Sequence, residues 1–167
     1  MHHLHFNKKS HNKLNTQTIL YNKHGNLFIN MLASSSRPAD DLSATKSLHW
    51  YSPESLTPKG SRSFKNDIWA LGCLAICMLT NQELASSSFH PYNWENFKDP
   101  KEATMIENLR QRYKGYFDEP KNKNSRKKEG AKLSEGALNF VASCMAILED
   151  KRVDTSVLLE HEFFEGV

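Results

Sequence analysis

The stretch Lys65-Asn-Asp-Ile-Trp-Ala-Leu-Gly-Cys-Leu-Ala-Ile-Cys-Met-Leu79 decides the fold, because nearly every position after its first three residues is apolar. A helix that is apolar all round must be buried on every side. We therefore predict a buried central helix from Asp67 to Thr80. Asp67 is the one acid in the stretch, and its place in the first turn suits the helix dipole and the free N–H groups there. Its carboxylate is also placed to hold another loop by its backbone amides.

The composition favours one soluble domain of 167 residues, a length sufficient for a real core. The net charge of +3 is too small to indicate a nucleic-acid partner. The longest apolar run, from Ile68 to Leu79, is too short to span a bilayer, and the histidines and lysines after Met1 do not form a signal peptide. These observations predict a cytoplasmic or nuclear protein without a membrane partner.

The three cysteines, Cys73, Cys77 and Cys144, lie in apolar helical contexts and form no CxxC pair. Buried free thiols in a reducing compartment are the expected state.

Four histidines lie near the start of the sequence: His2, His3, His5 and His11. We predict a frayed, solvated terminus there rather than a metal site, because a metal would need convergent ligands with their own supporting hydrogen bonds.

Periodicity predicts one hairpin followed by helices. Short apolar runs at 18–21 and 27–29 flank the turn-rich link 22–26, a pattern typical of a β-hairpin. The Ser-rich stretch 33–48 is predicted to be a loop, and Pro53 to Leu56 a short helix.

The second half of the chain is predicted to be helical. A helix is expected to start at Asp99-Pro100, with a charge-rich insert at 121–132 after it. Another amphipathic helix follows from Ser134, and a last one opens at Thr155 and leads towards Phe163-Phe164. The side chains expected to face the core from the Ser134 helix are Leu138, Val141, Cys144 and Met145.

Three groups of residues carry a family resemblance. They are Ser52-Pro-Glu54, the central-helix residues Asp67, Trp69 and Gly72, and the closing pattern from Cys144 through Arg152 to Phe163-Phe164. In this order and spacing they resemble the C-terminal lobe of the protein kinase family. The resemblance implies that Glu54 pairs with Arg152, a bidentate contact when geometry permits. It also implies that Asp67 hydrogen-bonds the catalytic-loop backbone.

The implied fold is a mainly α, kinase C-lobe-like helical domain with a small β-hairpin near its N-terminus and no N-terminal lobe. No glycine-rich phosphate loop and no Val-Ala-Ile-Lys strand appear in the sequence. The single domain at 1–167 divides into a degenerate catalytic loop and hairpin (1–32), an activation-segment-like loop (33–54) and a helical subdomain (55–167).

The catalytic positions of the family hold other residues here. Where the family reads His-Arg-Asp-Leu-Lys-Pro-Glu-Asn, this chain reads His11-Asn-Lys-Leu-Asn-Thr-Gln-Thr18. His11 is kept as framework, but Lys13 stands at the catalytic aspartate position, Asn15 at the phosphate-contacting lysine and Thr18 at the metal-binding asparagine. The family's Asp-Phe-Gly falls on Met31-Leu-Ala33, at the family interval from Lys13 without a gap.

These replacements remove the groups that phosphoryl transfer uses. The reaction needs a carboxylate to accept the hydroxyl proton and oxygen ligands to hold Mg²⁺. A charged lysine cannot accept that proton, and a methionine thioether is a poor ligand for a hard cation. We therefore expect no cofactor and no metal, with ATP and Mg²⁺ bound only if this prediction of inactivity is wrong.

Three hypotheses for function remain open. The first is a pseudokinase that binds another protein, such as an active kinase or an adaptor; Trp50 to Glu54 is similar to the STRAD-type adaptor pseudokinases. The second is a fragment of a serine/threonine kinase, which would need a carboxylate at position 13 or 31. The third is an unstable gene relic, whose apolar surface is left exposed without an N-terminal lobe.

Overall fold

The computed structural model describes residues 1–31, 50–56, 63–81 and 134–165. Four α-helices lie in these ranges: α1 (His2–Phe6), α2 (Phe64–Thr80), α3 (Glu135–Cys144) and α4 (Thr155–Leu159). They are joined by two strands, β1 (Ile19–Tyr21) and β2 (Leu27–Ile29), and by 3-10 turns at Pro53–Leu56, Glu149–Lys151 and Glu162–Phe164. The predicted loop at 33–48, the helix from Asp99 and the insert at 121–132 lie outside the described residues.

The predicted hairpin is present. β1 and β2 pair antiparallel, with Ile19 opposite Ile29 and Tyr21 opposite Leu27. The Asn22 side chain organises the turn, because its Oδ1 accepts from the N–H groups of His24 and Asn26 at 2.9 and 3.0 Å. Most of the hairpin's apolar side chains are exposed, so few of them contribute to the core.

The central helix α2 begins three residues earlier than predicted. Ser63 caps it by accepting a hydrogen bond from the Lys65 N–H at 3.1 Å, so Asp67 lies inside the first turn rather than opening the helix. Burial is not complete on every side: Met78 is 75% exposed. Nearly all the rest of the apolar surface is covered, as the sequence predicted, and Trp69 is fully buried.

The second core helix, α3, is capped by Ser134, whose Oγ accepts from the Ala137 N–H at 3.1 Å. The inward face follows the predicted period. All four predicted core residues are buried: Leu138, Val141, Cys144 and Met145. Phe140 is buried too, and its ring packs against His161, Phe163 and Phe164 at centroid distances of 5.0 to 5.4 Å. The closing segment therefore covers the outer side of α3.

α2 and α3 cross so closely at Gly72 that a larger residue does not fit. A Cβ at this position would lie 2.5 Å from Met145 Cγ and 2.9 Å from Cys144 Cβ. Both neighbours are fully buried, and a Cβ is fixed to its backbone. Gly72 is thus a requirement of packing, and the two helices form the centre of the core.

The thiols in this core are free and buried. Burial raises the pKa of Cys73 well above its usual value and does the same to the pKa of Cys144. Thiolate is the reactive form of cysteine. These two side chains therefore behave as small apolar groups, and the prediction of free buried thiols is confirmed.

Candidate functional site: the loop held by Asp67

Asp67 joins α2 to the loop that the family resemblance assigns to catalysis. Its carboxylate is fully buried. Oδ2 accepts from the His11 N–H at 2.7 Å, and Oδ1 accepts from the Asn12 N–H at 2.6 Å. Charge-assisted bonds of this length are strong. One side chain of the core thereby fixes the start of a loop that is more than 50 residues away in sequence.

His5 supplies a third contact to the same carboxylate. Its Nε2 lies 2.9 Å from Asp67 Oδ2, and its ring packs against Phe64 with the centroids 4.9 Å apart. The His5 side chain is only 9% exposed. The prediction of a frayed terminus is wrong here, because residues 2–6 form α1 and His5 contacts the first turn of α2, although His2 and His3 are exposed as predicted. No pattern within 1–6 indicates this contact.

The ring of His11 bridges the loop to the end of the hairpin. Its Nε2 donates to the Asn30 carbonyl at 3.0 Å, and its Nδ1 accepts from the Lys13 N–H at 3.2 Å. A carbonyl can only accept, so Nε2 carries the proton in this arrangement. His11 is fully buried, which agrees with its assignment as framework and not with a solvated terminus.

Asn12 lies at the sharp turn of the loop. Its φ of 59° lies in the left-handed region, which asparagine adopts more readily than most residues. Its Nδ2 donates to Ser10 Oγ at 2.6 Å, and its Oδ1 accepts from Asn66 Nδ2 at 3.4 Å. Asn66 Oδ1 accepts in turn from Ser52 Oγ at 2.6 Å. Asn66, which the sequence did not single out, links the loop to the Trp50–Leu56 segment.

Asn15 and Thr18 direct most of their polar atoms to each other. Thr18 Oγ1 accepts from the Asn15 N–H and donates to the Asn15 carbonyl, both at 2.9 Å. Asn15 Oδ1 accepts from the N–H groups of Gln17 and Thr18 at 2.8 and 3.1 Å. The two residues close a local turn that leads into β1, so their oxygens support backbone structure.

Lys13 and Met31 are the residues that the family resemblance aligns with the carboxylates of the family. Lys13 is half-buried, and Met31 is 41% exposed just beyond β2. Lys13 lines a small, partly open pocket with room for about one water molecule. The other described residues that line it are Asn12, Leu14, Asn15, Trp50, Tyr51, Asn66 and Ala70. In the described ranges, no group of three or more His, Cys, Asp or Glu side chains is arranged to hold a metal ion.

The structure contains the ion pair that the resemblance implied. Arg152 Nη1 donates to Glu54 Oε1 at 2.6 Å, and Nη2 donates to Oε2 at 3.1 Å. The other guanidinium protons go to three backbone carbonyls, those of Ala146, Lys65 and Ile147, at 3.0, 2.8 and 3.4 Å. All five N–H donors of the arginine are therefore used.

The environment of this pair holds it in place. The Arg152 guanidinium lies over the Trp69 ring at 5.1 Å, an attractive cation–π arrangement, and its side chain is fully buried. Lys65 binds the Arg152 carbonyl and pairs with Asp154 Oδ1 at 2.7 Å. The pair thus connects the Pro53–Leu56 turn, the start of α2 and the segment after α3.

Comparison with known proteins agrees with this geometry. Residues 1–164 match the protein kinase domain family. A relative is the mitogen-activated protein kinase kinase kinase 1a of Physcomitrium patens, 26% identical over 121 residues, which cover 72% of this chain and 13% of that protein. The chain belongs to the protein kinase domain family, and it spans only a small part of the length of this relative.

A separate observation concerns membranes. Within the described ranges, none of the helices has the length and apolar character needed to cross a bilayer.

Proposed function

We propose that this chain is a catalytically inactive protein kinase-like domain, corresponding to the C-terminal lobe, that acts by binding another protein. The proposal rests on the residues that occupy the loop held by Asp67. Its backbone is fixed by buried hydrogen bonds, while Lys13 and Met31 occupy the positions from which a carboxylate would accept a proton or bind Mg²⁺.

The retained scaffold supports a binding role over a catalytic one. Asp67, Gly72 and the Glu54–Arg152 pair maintain the packing of the domain, and none of them supplies a group to phosphate chemistry. Thr18 offers a hydroxyl where the family has a metal-binding asparagine, but that hydroxyl already bonds both backbone groups of Asn15. A folded surface without the reacting groups can still dock a partner, such as an active kinase or an adaptor.

A phosphoryl-transfer assay tests the inactive role. We expect the wild-type chain, with radiolabelled ATP, Mg²⁺ and a mixed protein substrate, to transfer no label above the protein-free background. The Lys13→Asp variant should remain inactive, because positions 18 and 31 still lack metal ligands. Isothermal titration with Mg-ATP should show no heat of binding.

Measurable phosphoryl transfer by the wild type would contradict the inactive role. Active protein kinases turn over at about 1–100 s⁻¹. Transfer by the wild type within two orders of magnitude of this range, abolished by Lys13→Met, would establish that the loop is catalytic. A transfer unaffected by Lys13→Met would instead indicate a contaminating kinase, which an affinity-purified Asp67→Asn sample run in parallel would also contain.

The named relative favours a second candidate. Because the Physcomitrium patens protein is called a mitogen-activated protein kinase kinase kinase, this chain could be a fragment of an active serine/threonine kinase. That function requires a proton acceptor which Lys13 does not supply while charged. The same assay, performed on the wild type and on Lys13→Met, decides between the two candidates.

A further inference from the structure

The outer edge of strand β1 carries backbone groups that point away from the hairpin. The Asn30 N–H donates to the Thr18 carbonyl at 2.8 Å, and from this pair onwards the strands run in continuous register. Pairs with and without hydrogen bonds alternate along an antiparallel ladder, so Ile19 and Tyr21 direct their N–H and C=O groups away from β2. No described residue bonds to these groups on that side.

This edge lacks the features that usually keep a strand from pairing with another chain. Those features are charged side chains, prolines and β-bulges. β1 reads Ile-Leu-Tyr and β2 reads Leu-Phe-Ile, and their register has no bulge. A hairpin of two strands is marginally stable by itself, and further strands that share an apolar face stabilise it. The outer edge of β1 is therefore suited to accept another strand.

The face of the hairpin that points away from the core is apolar and exposed. Ile19 and Ile29 pack against the core, and side chains alternate along a strand, so Leu20 and Phe28 lie on the opposite face. Their exposed fractions are 48% and 52%. Because these two residues are paired in the ladder, they form one apolar strip that ends at the outer edge of β1. A suitable occupant both bonds the edge and continues the strip.

A second copy of β1 meets both requirements in one register. When two copies pair antiparallel about a two-fold axis at Leu20, each Ile19 faces the Tyr21 of the other copy. These are the residues with outward backbone groups, so each such pair exchanges both of its hydrogen bonds. The two Leu20 side chains then lie opposite each other on the exposed face. The strip continues across four strands, with a Phe28 at each end.

Charge and bulk do not oppose this register. Lys23 is the lysine nearest to β1 in sequence, and it falls opposite Gln17 of the second copy, not opposite another lysine. The core of each copy lies at the Ile19 end of its hairpin, so antiparallel pairing puts the two cores at opposite ends of the sheet. A foreign strand would also fill the edge, but a second copy supplies the matching apolar strip from this same sequence.

We propose that two copies of this chain form a symmetric dimer by pairing the outer edges of their β1 strands into a four-stranded sheet. This dimer goes beyond the proposed function and does not depend on it, because the pairing uses none of the loop residues 11–15. A contact of this size belongs among the weak, transient interfaces, and we expect a dissociation constant of about 10 µM to 1 mM.

Cysteine cross-linking of the full chain tests the register. Leu20→Cys places two thiols on facing residues whose Cα atoms are about 4.5 Å apart, within the range of a disulfide. Phe28→Cys is the matched control, because Phe28 is almost equally exposed but lies about 14 Å, three strand spacings, from its copy. In an oxidising glutathione buffer, Leu20→Cys should form covalent dimers at least about tenfold faster than Phe28→Cys. The native cysteines are buried, and the wild type gives the background.

Sedimentation equilibrium of proline variants tests the backbone bonds. Tyr21→Pro removes an N–H that points to the outer edge of β1 and takes no bond from within the hairpin. Leu27→Pro makes the same change at the outer edge of β2 and is the matched control. We expect dimerisation to weaken at least about tenfold in Tyr21→Pro and less than about threefold in Leu27→Pro. Tyr21→Val keeps the N–H and should stay within about threefold of the wild type, which separates the backbone from the ring. Thermal unfolding shows that each variant is folded.

Any of three results would overturn the proposal. The first is a wild type that stays monomeric up to about 1 mM, which would leave the edge to a foreign strand. The second is cross-linking of Phe28→Cys as fast as that of Leu20→Cys or faster, which would exclude this register. The third is equal dimerisation of Tyr21→Pro and Leu27→Pro. Phosphoryl transfer by the wild type would refute the inactive role, whereas a monomeric wild type would refute only the dimer.

Discussion

Asp67 shows how one buried carboxylate can organise a loop. It accepts from the backbone of His11 and Asn12 and from the ring of His5, so each oxygen is used and its charge is compensated by directed donors. Burying a charge without such donors is costly. The arrangement explains what holds the start of this loop in place.

Asp67→Asn should loosen this loop. An asparagine keeps one acceptor oxygen and places an N–H₂ group where the second oxygen was, so one backbone N–H loses its acceptor. Hydrogen bonds to charged groups are worth about 1.5–3 kcal/mol, and we expect a loss of unfolding free energy in that range. Urea unfolding measures it, and amide hydrogen exchange at residues 11 and 12 should accelerate about tenfold or more. The exposed control Asp150→Asn should change stability by less than about 0.5 kcal/mol.

Glu54→Ala should remove the acceptor of two guanidinium protons. Breaking a buried ion pair by deleting one partner costs about 3–5 kcal/mol. Glu54 is 20% exposed, so water can reach the vacated site, and we expect a value near the lower end, about 3 kcal/mol. Urea unfolding with exposed Glu160→Ala as control checks it. A cost below about 0.5 kcal/mol for Glu54→Ala would show that the pair does not stabilise the fold.

At the scale of elements, the close crossing of α2 and α3 depends on the missing side chain of Gly72. Gly72→Ala should destabilise by about 1–3 kcal/mol, because the added methyl overlaps Met145 and Cys144 in a packed core. We expect this cost even though alanine favours the helix by about 1 kcal/mol relative to glycine.

Gly136→Ala provides the matched control, since it makes the same exchange in a helix where the new Cβ meets Glu162 only at 3.6 Å. Stabilisation of up to about 1 kcal/mol is expected there. Equal effects in both variants, measured by thermal and urea unfolding, would mean that the helices can separate at Gly72 without cost.

The elements were largely predictable from sequence, and the contacts between them only partly so. α3 and the hairpin follow from period and turn residues, and the family resemblance implied the partners of Glu54 and Asp67. His5 was missed because α1 is short and gains its order from a carboxylate 62 residues away. The hydrogen bonds of Asn66 were missed because an asparagine in the first turn of a helix suggests only a local capping role. Its two partners, Ser52 and Asn12, come from distant segments. Local patterns do not encode such long-range pairs.

At the scale of the whole molecule, the buried thiols predict a dependence of stability on alkaline pH. Burial raises the folded-state pKa of Cys73 and Cys144 above the ordinary thiol value of 9.0. Each group therefore contributes stability that is fully present below the unfolded-state pKa and is lost as pH rises above it. The unfolding free energy should fall from about pH 9 upwards, by up to about 1.4 kcal/mol per pH unit for each thiol.

Cys144→Ala tests this coupling. The variant loses stability at neutral pH because a small cavity forms, but its decline between pH 9 and 10.5 should be shallower by up to about 1.4 kcal/mol per pH unit. Urea unfolding at stepped pH gives both curves. Parallel curves for the variant and the wild type would contradict the assignment of the alkaline loss to this thiol.

The five N–H donors of Arg152 affect how the molecule unfolds. Their acceptors belong to three stretches of the chain, and the carboxylate of Glu54 is 98 residues distant. A partly unfolded form that kept Arg152 buried but released one of those stretches would leave some of its guanidinium N–H groups without acceptors. An uncompensated charge in an apolar interior is strongly disfavoured. Intermediate forms are thereby depleted, and loss of structure in the three stretches becomes a single concerted event.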